Sequence, residues 1–439
     1  MKLFQQMLVA TASVGLIAPL AAQASDVINL EGMNDYSRSK KSAKRIDSQT
    51  FINETNEDIA VLKGRVDGLE AKQGNFEAGA FSSTTTMDGK AIMWIGAVDG
   101  GDNLSESSTA GSEAVGTGYS YTMNLNTSFT GDDNLYVRLK AGENHTQWKY
   151  KETYHIETKD TSDAFNVDKM WYTFPVGESI TAFVGPRIEN YYMYVTPSIY
   201  QPGALKSMKL GGNSNFGAST DTGVGFKYEA DSGFAVATNI VSKGADGDSK
   251  NAAAKGFMGK NDVNKWDTQI AYTTDRWHVS ATLSDQQNWS GHAYNATSQA
   301  AGMKTGDFTG LAFRSYWRPE NSGTATPEVS VGYDTRKADD TVASGTGKDS
   351  DSYFIGLTWR DMFQADDRIG FAVTQPLKVT SCNGTCSTAE VDPFVWEAYY
   401  AFRPNDSMEV RPAIFGGTDV EGTSADDIFG AVLTTTFKF

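Results

Sequence analysis

The side chains able to make or break bonds are few and scattered. The four histidines are His145, His155, His278 and His292, and no two share metal-ligand spacing on one helix. Gly345-Thr346-Gly347-Lys348 resembles the end of a phosphate loop, but position 342 is Val where that loop requires its first glycine. No nucleophile elbow or zinc motif is present, and nothing singles out a Ser/His/Asp set. Neither an enzyme nor a cofactor is expected. The acidic pairs Asp246/Asp248 and Asp349/Asp351 carry the hard oxygens Ca²⁺ favours, but they read as solvated loop carboxylates, so no metal site is expected. Cys382 and Cys386 flank the turn dipeptide Asn383-Gly384, so the thiols can meet in a disulfide; two free thiols are the alternative. A bridge this short would stiffen its loop locally rather than stabilise the whole chain.

A larger set of residues suits recognition without bond-making. Arg138 and Lys140 alternate with Val137, Leu139 and Ala141, so both charges fall on one face of an extended segment. Arg314, Arg336, Arg360, Glu397, Arg403 and Arg411 sit in similar alternating runs. Arg187, Glu189, Tyr191, Tyr192, Tyr194, Tyr200, Lys206 and Lys209 crowd into the stretch 186–222. Rings of charge sort ions, and aromatic faces let sugars slide by stacking.

The elements that must carry these residues begin after an export-like start. Lys2, an apolar run from Met7 to Leu20 and the small-x-small site Ala22-Gln23-Ala24 read as a signal peptide over 1–24 and imply secretion through the Sec pathway. Residues 25–49 are polar and aperiodic and read as a flexible segment. Over 50–80, Ile52, Ile59, Val66 and Gln73 interleave by heptads with Thr55, Leu62, Leu69 and Phe76. This predicts a helix of roughly 40 Å, either a coiled coil joining subunits or an amphipathic helix packed on the following domain.

From 81 to 439 the period drops to two. Sixteen blocks of alternating apolar and polar residues, from Ile92–Val98 to Ile428–Phe439, are separated by connections that alternate short and long. The sequence contains 43 Gly, 19 Tyr, 23 Phe and 9 Trp against 11 Pro. After the leader no apolar run is long enough for a membrane helix, but a transmembrane barrel hides from hydropathy because its lipid-facing and lumen-facing residues alternate. The expected fold is all-β: a transmembrane antiparallel barrel of about sixteen strands. In 311–318 and 394–403 the charges alternate with Leu311, Phe313, Trp317 and with Phe394, Trp396, Tyr400, Phe402. An Arg at mid-bilayer costs ~2–4 kcal/mol on the lipid face. Arg314, Arg318, Glu397 and Arg403 are therefore expected inside the barrel, facing water, and Trp317, Trp359 and Phe402 in an aromatic belt. The formal charge of -16, concentrated in loop-like stretches, argues against a nucleic-acid partner.

Two distant motifs carry a resemblance. Residues 59–70, Ile-Ala-Val-Leu-Lys-Gly-Arg-Val-Asp-Gly-Leu-Glu, followed by Phe81-Ser82-Ser83-Thr84-Thr85-Thr86, resemble the coil-to-barrel junction of cyanobacterial Som-type (iron uptake) porins. The run from Pro393-Phe394-Val395-Trp396-Glu397 to Asn405-Asp406, and the ending Thr434-Thr435-Thr436-Phe437-Lys438-Phe439, are similar to theirs. That family is itself similar to the carbohydrate-selective (OprB-like) porins. The resemblance implies a homotrimer in the outer-membrane bilayer and passage of inorganic ions, iron or sugars; the even strand count puts both barrel ends, and so the coil, on the periplasmic side. It also implies that the long loop after the fifth strand folds into the barrel and narrows it, making Arg187, Glu189, Tyr191, Tyr192, Tyr194, Lys206 and Lys209 constriction candidates. The alternative for that loop is packing against a neighbouring subunit. Such porins usually carry a surface-layer-homology domain before the coil; residues 25–49 are too short for one, so wall anchoring is not expected. The function expected on these grounds is passive diffusion with a mild anion preference. A selective sugar channel and a structural or adhesive envelope barrel are the alternatives.

Overall fold

A computed structural model of the protein describes residues 63, 84–99, 115–144, 161–195, 198–212, 220–243, 256–259, 262–289, 307–338, 344–345, 347–385, 392–419 and 427–439. The signal-peptide and polar-segment readings, the heptads of 50–80 apart from Lys63, and His145, His155, His292, Asp246, Asp248 and Cys386 lie outside the described residues.

The unit Thr84–Phe439 is built from sixteen strands: β1 (Thr85–Asp99), β2 (Gly116–Thr127), β3 (Asn134–Asn144), β4 (Asn166–Val176), β5 (Ile180–Glu189), β6 (Thr220–Glu229), β7 (Phe234–Ser242), β8 (Asn264–Thr273), β9 (Trp277–Gln287), β10 (Asp307–Trp317), β11 (Glu328–Ala338), β12 (Gly347–Arg360), β13 (Arg368–Cys382), β14 (Phe394–Asn405), β15 (Met408–Thr418) and β16 (Ile428–Lys438). Each pairs antiparallel with its sequence neighbours, and β16 returns to β1 to close the barrel, with Trp94 opposite Thr434 and Lys90 opposite Lys438. Closure leaves no strand edge unpaired. The first strand is longer than the alternation predicts, Thr85–Asp99 against Ile92–Val98. Its extra residues include Asp88 and Lys90, whose polarity hides the strand from an apolar count.

The period of two sorts each strand into two faces. On β10, Leu311, Phe313 and Trp317 are exposed, while Phe308, Ala312, Arg314 and Tyr316 are buried. On β14, Val395, Glu397, Tyr399 and Ala401 are buried, and Phe394, Trp396, Tyr400 and Phe402 are half-exposed on the opposite face. Ile270, Leu283, Leu311 and Ile355 are among many apolar side chains left open on the outer face. An apolar outer band on a closed barrel is the surface that lipid covers.

At the end where the chain enters and leaves, β-strands are joined by short connections such as 128–133, 177–179 and 406–407; at the other end lie long ones such as 100–115, 145–165 and 190–219. Trp277, Trp317, Trp359 and Phe402 lie near the short-connection end, where Trp277 and Trp317 are paired and Arg276 lies 5.6 Å over the Trp317 ring. Two of the short turns share one device. Asp133 accepts hydrogen bonds from the backbone of Phe129 and Thr130, from Ser128 and Thr130 hydroxyls, and from Tyr172 Oη at 2.6 Å. Asp367 accepts from the amides of Met362, Phe363 and Gln364 and from Tyr400 Oη at 3.1 Å. The Tyr172 bond, reinforced by the turn donors, holds the Asp133 carboxyl well below the usual carboxylate range. Burial pushes the Asp367 carboxyl up, but the three amides and Tyr400 outweigh it and its pKa is also lowered.

Candidate functional site

The chain leaving β5 turns into the barrel. A short 3₁₀ turn, Asn190–Met193, lies against β5–β7, and a second, irregular turn, Lys206–Gly211, lies against β11–β13. The inward side chains of the wall hold the segment between them. On β8, Asp267 accepts from Asn190 Nδ2 at 3.0 Å and from the Tyr194 hydroxyl, and Gln269 accepts the Val195 amide at 2.8 Å. On β11, Ser330 Oγ lies 2.7 Å from Ser198 Oγ. On β14, Glu397 takes four donors: Tyr200 Oη and the Gly203 amide on Oε1 at 2.8 and 2.7 Å, and the Ala204 and Leu205 amides on Oε2 at 3.0 and 2.8 Å. On β10, Arg314 Nε donates to the Leu210 carbonyl at 2.8 Å. These contacts carry the loop along the inner wall from β8 to β14.

The loop fits against the wall because glycines line the contact. On the wall, a Cβ on Gly332 would fall 1.9 Å from the Gly211 carbonyl oxygen and one on Gly356 would fall 2.7 Å from the Tyr200 ring; on the loop, one on Gly203 would fall 2.3 Å from the Tyr399 ring. The second turn closes in left-handed backbone at Leu210, Gly211 and Gly212. Tyr200, Ala204, Leu205 and Met208 bury themselves with Trp94, Phe354, Tyr399 and Phe415 of the wall. A polar barrel interior is thus partly filled by an apolar loop surface.

This seat changes the meaning of the inward charges. Arg314, Arg336 and Glu397 point inward as their alternation predicts, but they are buried and do not face water, because the loop or the wall's own side chains cover them. Arg314 pairs with Asp334 at 2.8 Å. Arg336 lies 3.7 Å over the Phe308 ring and donates to the Trp289 carbonyl. Arg360 pairs with Glu328 at 2.9 Å, and Arg403 Nη1 lies 3.5 Å from Asp366. Glu409 is shared between Arg368 at 2.9 Å and Arg411 at 3.6 Å. Burying a charge without a partner would be costly, and pairing removes much of the cationic wall that residue type alone suggests.

Level with the loop, solvent contact is retained on the opposite side. The inward Asn124 and Asn126 of β2, Tyr136, Arg138 and Lys140 of β3, and Asp168 of β4 are half-buried, and Asp88 of β1 is exposed. The inward residues Asn239, Asp267, Gln269, Thr282, Arg314 and Ser330 of β7–β11 are buried. The loop meets the open side through Tyr191 and Tyr192, whose rings stack at 4.9 Å. Tyr192 lies 5.2 Å from Trp171, which lies 4.4 Å from Tyr136, so four rings run in sequence from wall to loop. Cations border this ladder: Arg138 donates to Tyr192 Oη at 3.2 Å, Lys169 lies 5.4 Å over Tyr192, and Lys209 donates to Tyr191 Oη at 3.0 Å. Arg138 is also 3.9 Å from Asp168, and Asn124 donates to Asp88 at 2.6 Å. Rings edged by cations and amides can stack on, and hydrogen-bond to, a polar solute.

The sequence candidates therefore divide. Tyr191, Tyr192, Lys209, Arg138 and Lys140 gather on the open side. Arg187 and Glu189 belong to the end of β5 rather than to the loop; Arg187 Nε donates to the Asp168 carbonyl at 3.4 Å, and Glu189 pairs with Lys169. Tyr194 belongs to the loop but is buried against Asp267 of β8, and Lys206 is half-buried in the second turn. Cys382, at the end of β13, is disulfide-bonded. Asp88, Asn124, Tyr136 and Trp171 on the open side, and Asp267, Gln269 and Ser330 beneath the loop, were not among the candidates. Their signal was present as polar or aromatic residues at inward positions of their strands, as in Lys265-Trp266-Asp267-Thr268-Gln269.

Residues 44–439 match the family described as carbohydrate-selective porin, OprB family. The chain is 25% identical over 435 residues to an uncharacterised protein of Nostoc sp., covering 89% of this chain and 72% of that protein. It is 23% identical over 409 residues to an uncharacterised protein of Synechocystis sp., covering 84% and 71%. Among solved structures, OprB of Pseudomonas putida superposes with a TM-score of 0.56 at 10% identity, covering 81% of this chain and 94% of that one. Salmonella typhi OmpF superposes with a TM-score of 0.52 at 13% identity, covering 81% and 97%. At these identities the structural likeness concerns the fold, a porin-type barrel.

Proposed function

Because the chain belongs to the carbohydrate-selective porin, OprB, family, we propose that it carries small hydrophilic solutes, sugars and inorganic ions among them, by passive diffusion across the outer membrane. A porin of this family is an outer-membrane channel and not an enzyme. The observation that carries the reading is the loop lodged inside a closed sixteen-strand barrel, with solvent contact retained on the β1–β4 side. A barrel of this strand number encloses water rather than a packed core, so the space left beside the loop sets what can pass. Selection is by size and by charge at this narrowing. Lys90, Arg138, Lys140 and Lys209 oppose Asp88 and Asp168 there, which supports a mild anion preference.

The ring ladder Tyr136–Trp171–Tyr192–Tyr191 supports a second reading, that sugars are bound as they pass rather than merely admitted. In this reading the chain is exported by its N-terminal signal through the Sec pathway, places its heptad segment in the periplasm, and assembles as a homotrimer, with iron among the ions that cross. Planar-bilayer recording of the refolded protein tests the reading. Stepwise ohmic currents, often in threes, and an anion-selective reversal potential in a KCl gradient are expected. Block by millimolar sugar would favour the binding channel. A correctly folded barrel that carries no current would refute both and return the chain to a structural role.

A further inference from the structure

We propose that Glu397 is the latch that positions the constriction loop, and so sets the exclusion limit of the channel; this rests on the channel reading above. Glu397 is completely buried, near the start of β14, nearly two hundred positions along the chain from its partners. Both of its oxygens are used, and each accepts two hydrogen bonds from the loop. Three of the four donors are consecutive backbone amides, those of Gly203, Ala204 and Leu205. Successive amides converging on one carboxylate form an anion-binding concavity, and here the anion is a side chain of the opposite wall. The fourth donor, Tyr200, enters between Phe354 at 5.5 Å and Tyr399 at 6.2 Å, fixing the approach of the loop sideways.

The site admits only this geometry. Gly203 has no room for a side chain against the Tyr399 ring, and Gly356 of the wall has none against the Tyr200 ring. No cation of the wall is ion-paired with Glu397 among the described residues; its charge is met by loop donors alone. A buried carboxylate whose hydrogen bonds all come from one loop makes withdrawal of that loop unfavourable. The other anchors hold the loop on either side of this segment, β8 at Val195 and β11 at Ser198 before it and β10 at Leu210 after it. Glu397 is the polar anchor of 200–205, on β14, where the segment also packs on Trp94, Phe354, Tyr399 and Phe415. Releasing it frees the segment around 200–205 from the β14 wall while the other anchors stay docked, so the width of the passage beside it is no longer fixed.

Each hydrogen bond to a charged acceptor is worth ~1.5–3 kcal/mol, so losing one lowers the latched population roughly tenfold or more. Glu397→Ala removes four. Glu397→Gln keeps the shape but turns one acceptor oxygen into an NH₂ facing the Ala204 and Leu205 amides, and so should give a smaller effect of the same sign. The test combines two measurements on wild type and both variants, each first shown to be a folded barrel by its resistance to SDS before heating. Hydrogen exchange followed by mass spectrometry should show the 200–205 amides protected in the wild type and exchanging at least tenfold faster in Glu397→Ala, with barrel-strand amides unchanged. Single-channel recording and liposome swelling should show noisier unitary currents and a shifted, less sharp exclusion limit for sugars. Folded variants with wild-type exchange and wild-type exclusion would overturn the latch. If the wild type itself carries no current, the channel reading fails, and the exchange experiment still decides whether Glu397 holds the loop.

Discussion

Replacing Gly332 with alanine puts a methyl group where the loop backbone already lies. The new Cβ would sit 1.9 Å from the Gly211 carbonyl oxygen and 2.9 Å from its carbon. Ordinary heavy-atom contacts begin near ~3.5 Å, so the loop must retreat by roughly 1.5 Å, since the obstacle is backbone and cannot rotate away. A retreat of that size stretches the 2.8 Å bond from Arg314 Nε to the Leu210 carbonyl beyond hydrogen-bonding range. Overpacking costs ~1–3 kcal/mol and loss of a charged hydrogen bond ~1.5–3 kcal/mol, so the substitution should cost about 2.5–6 kcal/mol. The strand itself should survive, because Gly332 keeps its ladder partners Phe354 and Arg314. The expected result is a folded barrel with a lowered urea midpoint and a noisier open-channel current. Wild-type stability together with wild-type current noise would mean that the loop does not rest on β11, and would refute the description of the seat.

Three further outcomes follow from the same contacts. Asp133 and Asp367 have carboxyls held below their unfolded values, so the stability they contribute is present above the ordinary carboxyl pKa of about 3.9 and is lost as pH falls through the lower folded values; Asp133→Asn and Asp367→Asn should flatten the acid side of the melting-temperature profile below about pH 4. Arg138→Ala removes a cation that borders the ring ladder, so the reversal potential in a KCl gradient should move toward cation selectivity; no movement would mean that β3 does not face the ion path. Tyr192→Ala breaks the ladder between Trp171 and Tyr191 and should weaken sugar block by roughly tenfold if sugars stack there, at ~1–3 kcal/mol per lost aromatic contact, while leaving small-ion conductance intact or raised.

Local pattern was enough for the scaffold. A period of two with turn residues between blocks is a property of a few neighbouring positions, so strand number, the inward direction of Arg314 and Glu397, and the alternation of short and long connections are legible without any partner being known. The aromatic belt around Trp317 and Phe402 follows from the same counting, since outward parity and strand end are both local. What pattern could not supply is the far side of each contact. Glu397 and Leu205 are separated by 192 positions, and nothing near either one says that they meet. Parity made Arg314 a lumen residue; only the loop lying on it, with Asp334 at its side, made it a buried, paired one. The glycines facing the loop were visible as letters at inward positions, yet glycine in a strand also marks bulges and kinks, and only the carbonyl of Gly211 pressed against Gly332 distinguishes a seat from those. The sequence by itself determined a barrel and the direction in which its side chains point, because those depend on backbone periodicity. The tertiary structure alone decided which inward charges remain at the water, because that depends on where a long loop comes to rest.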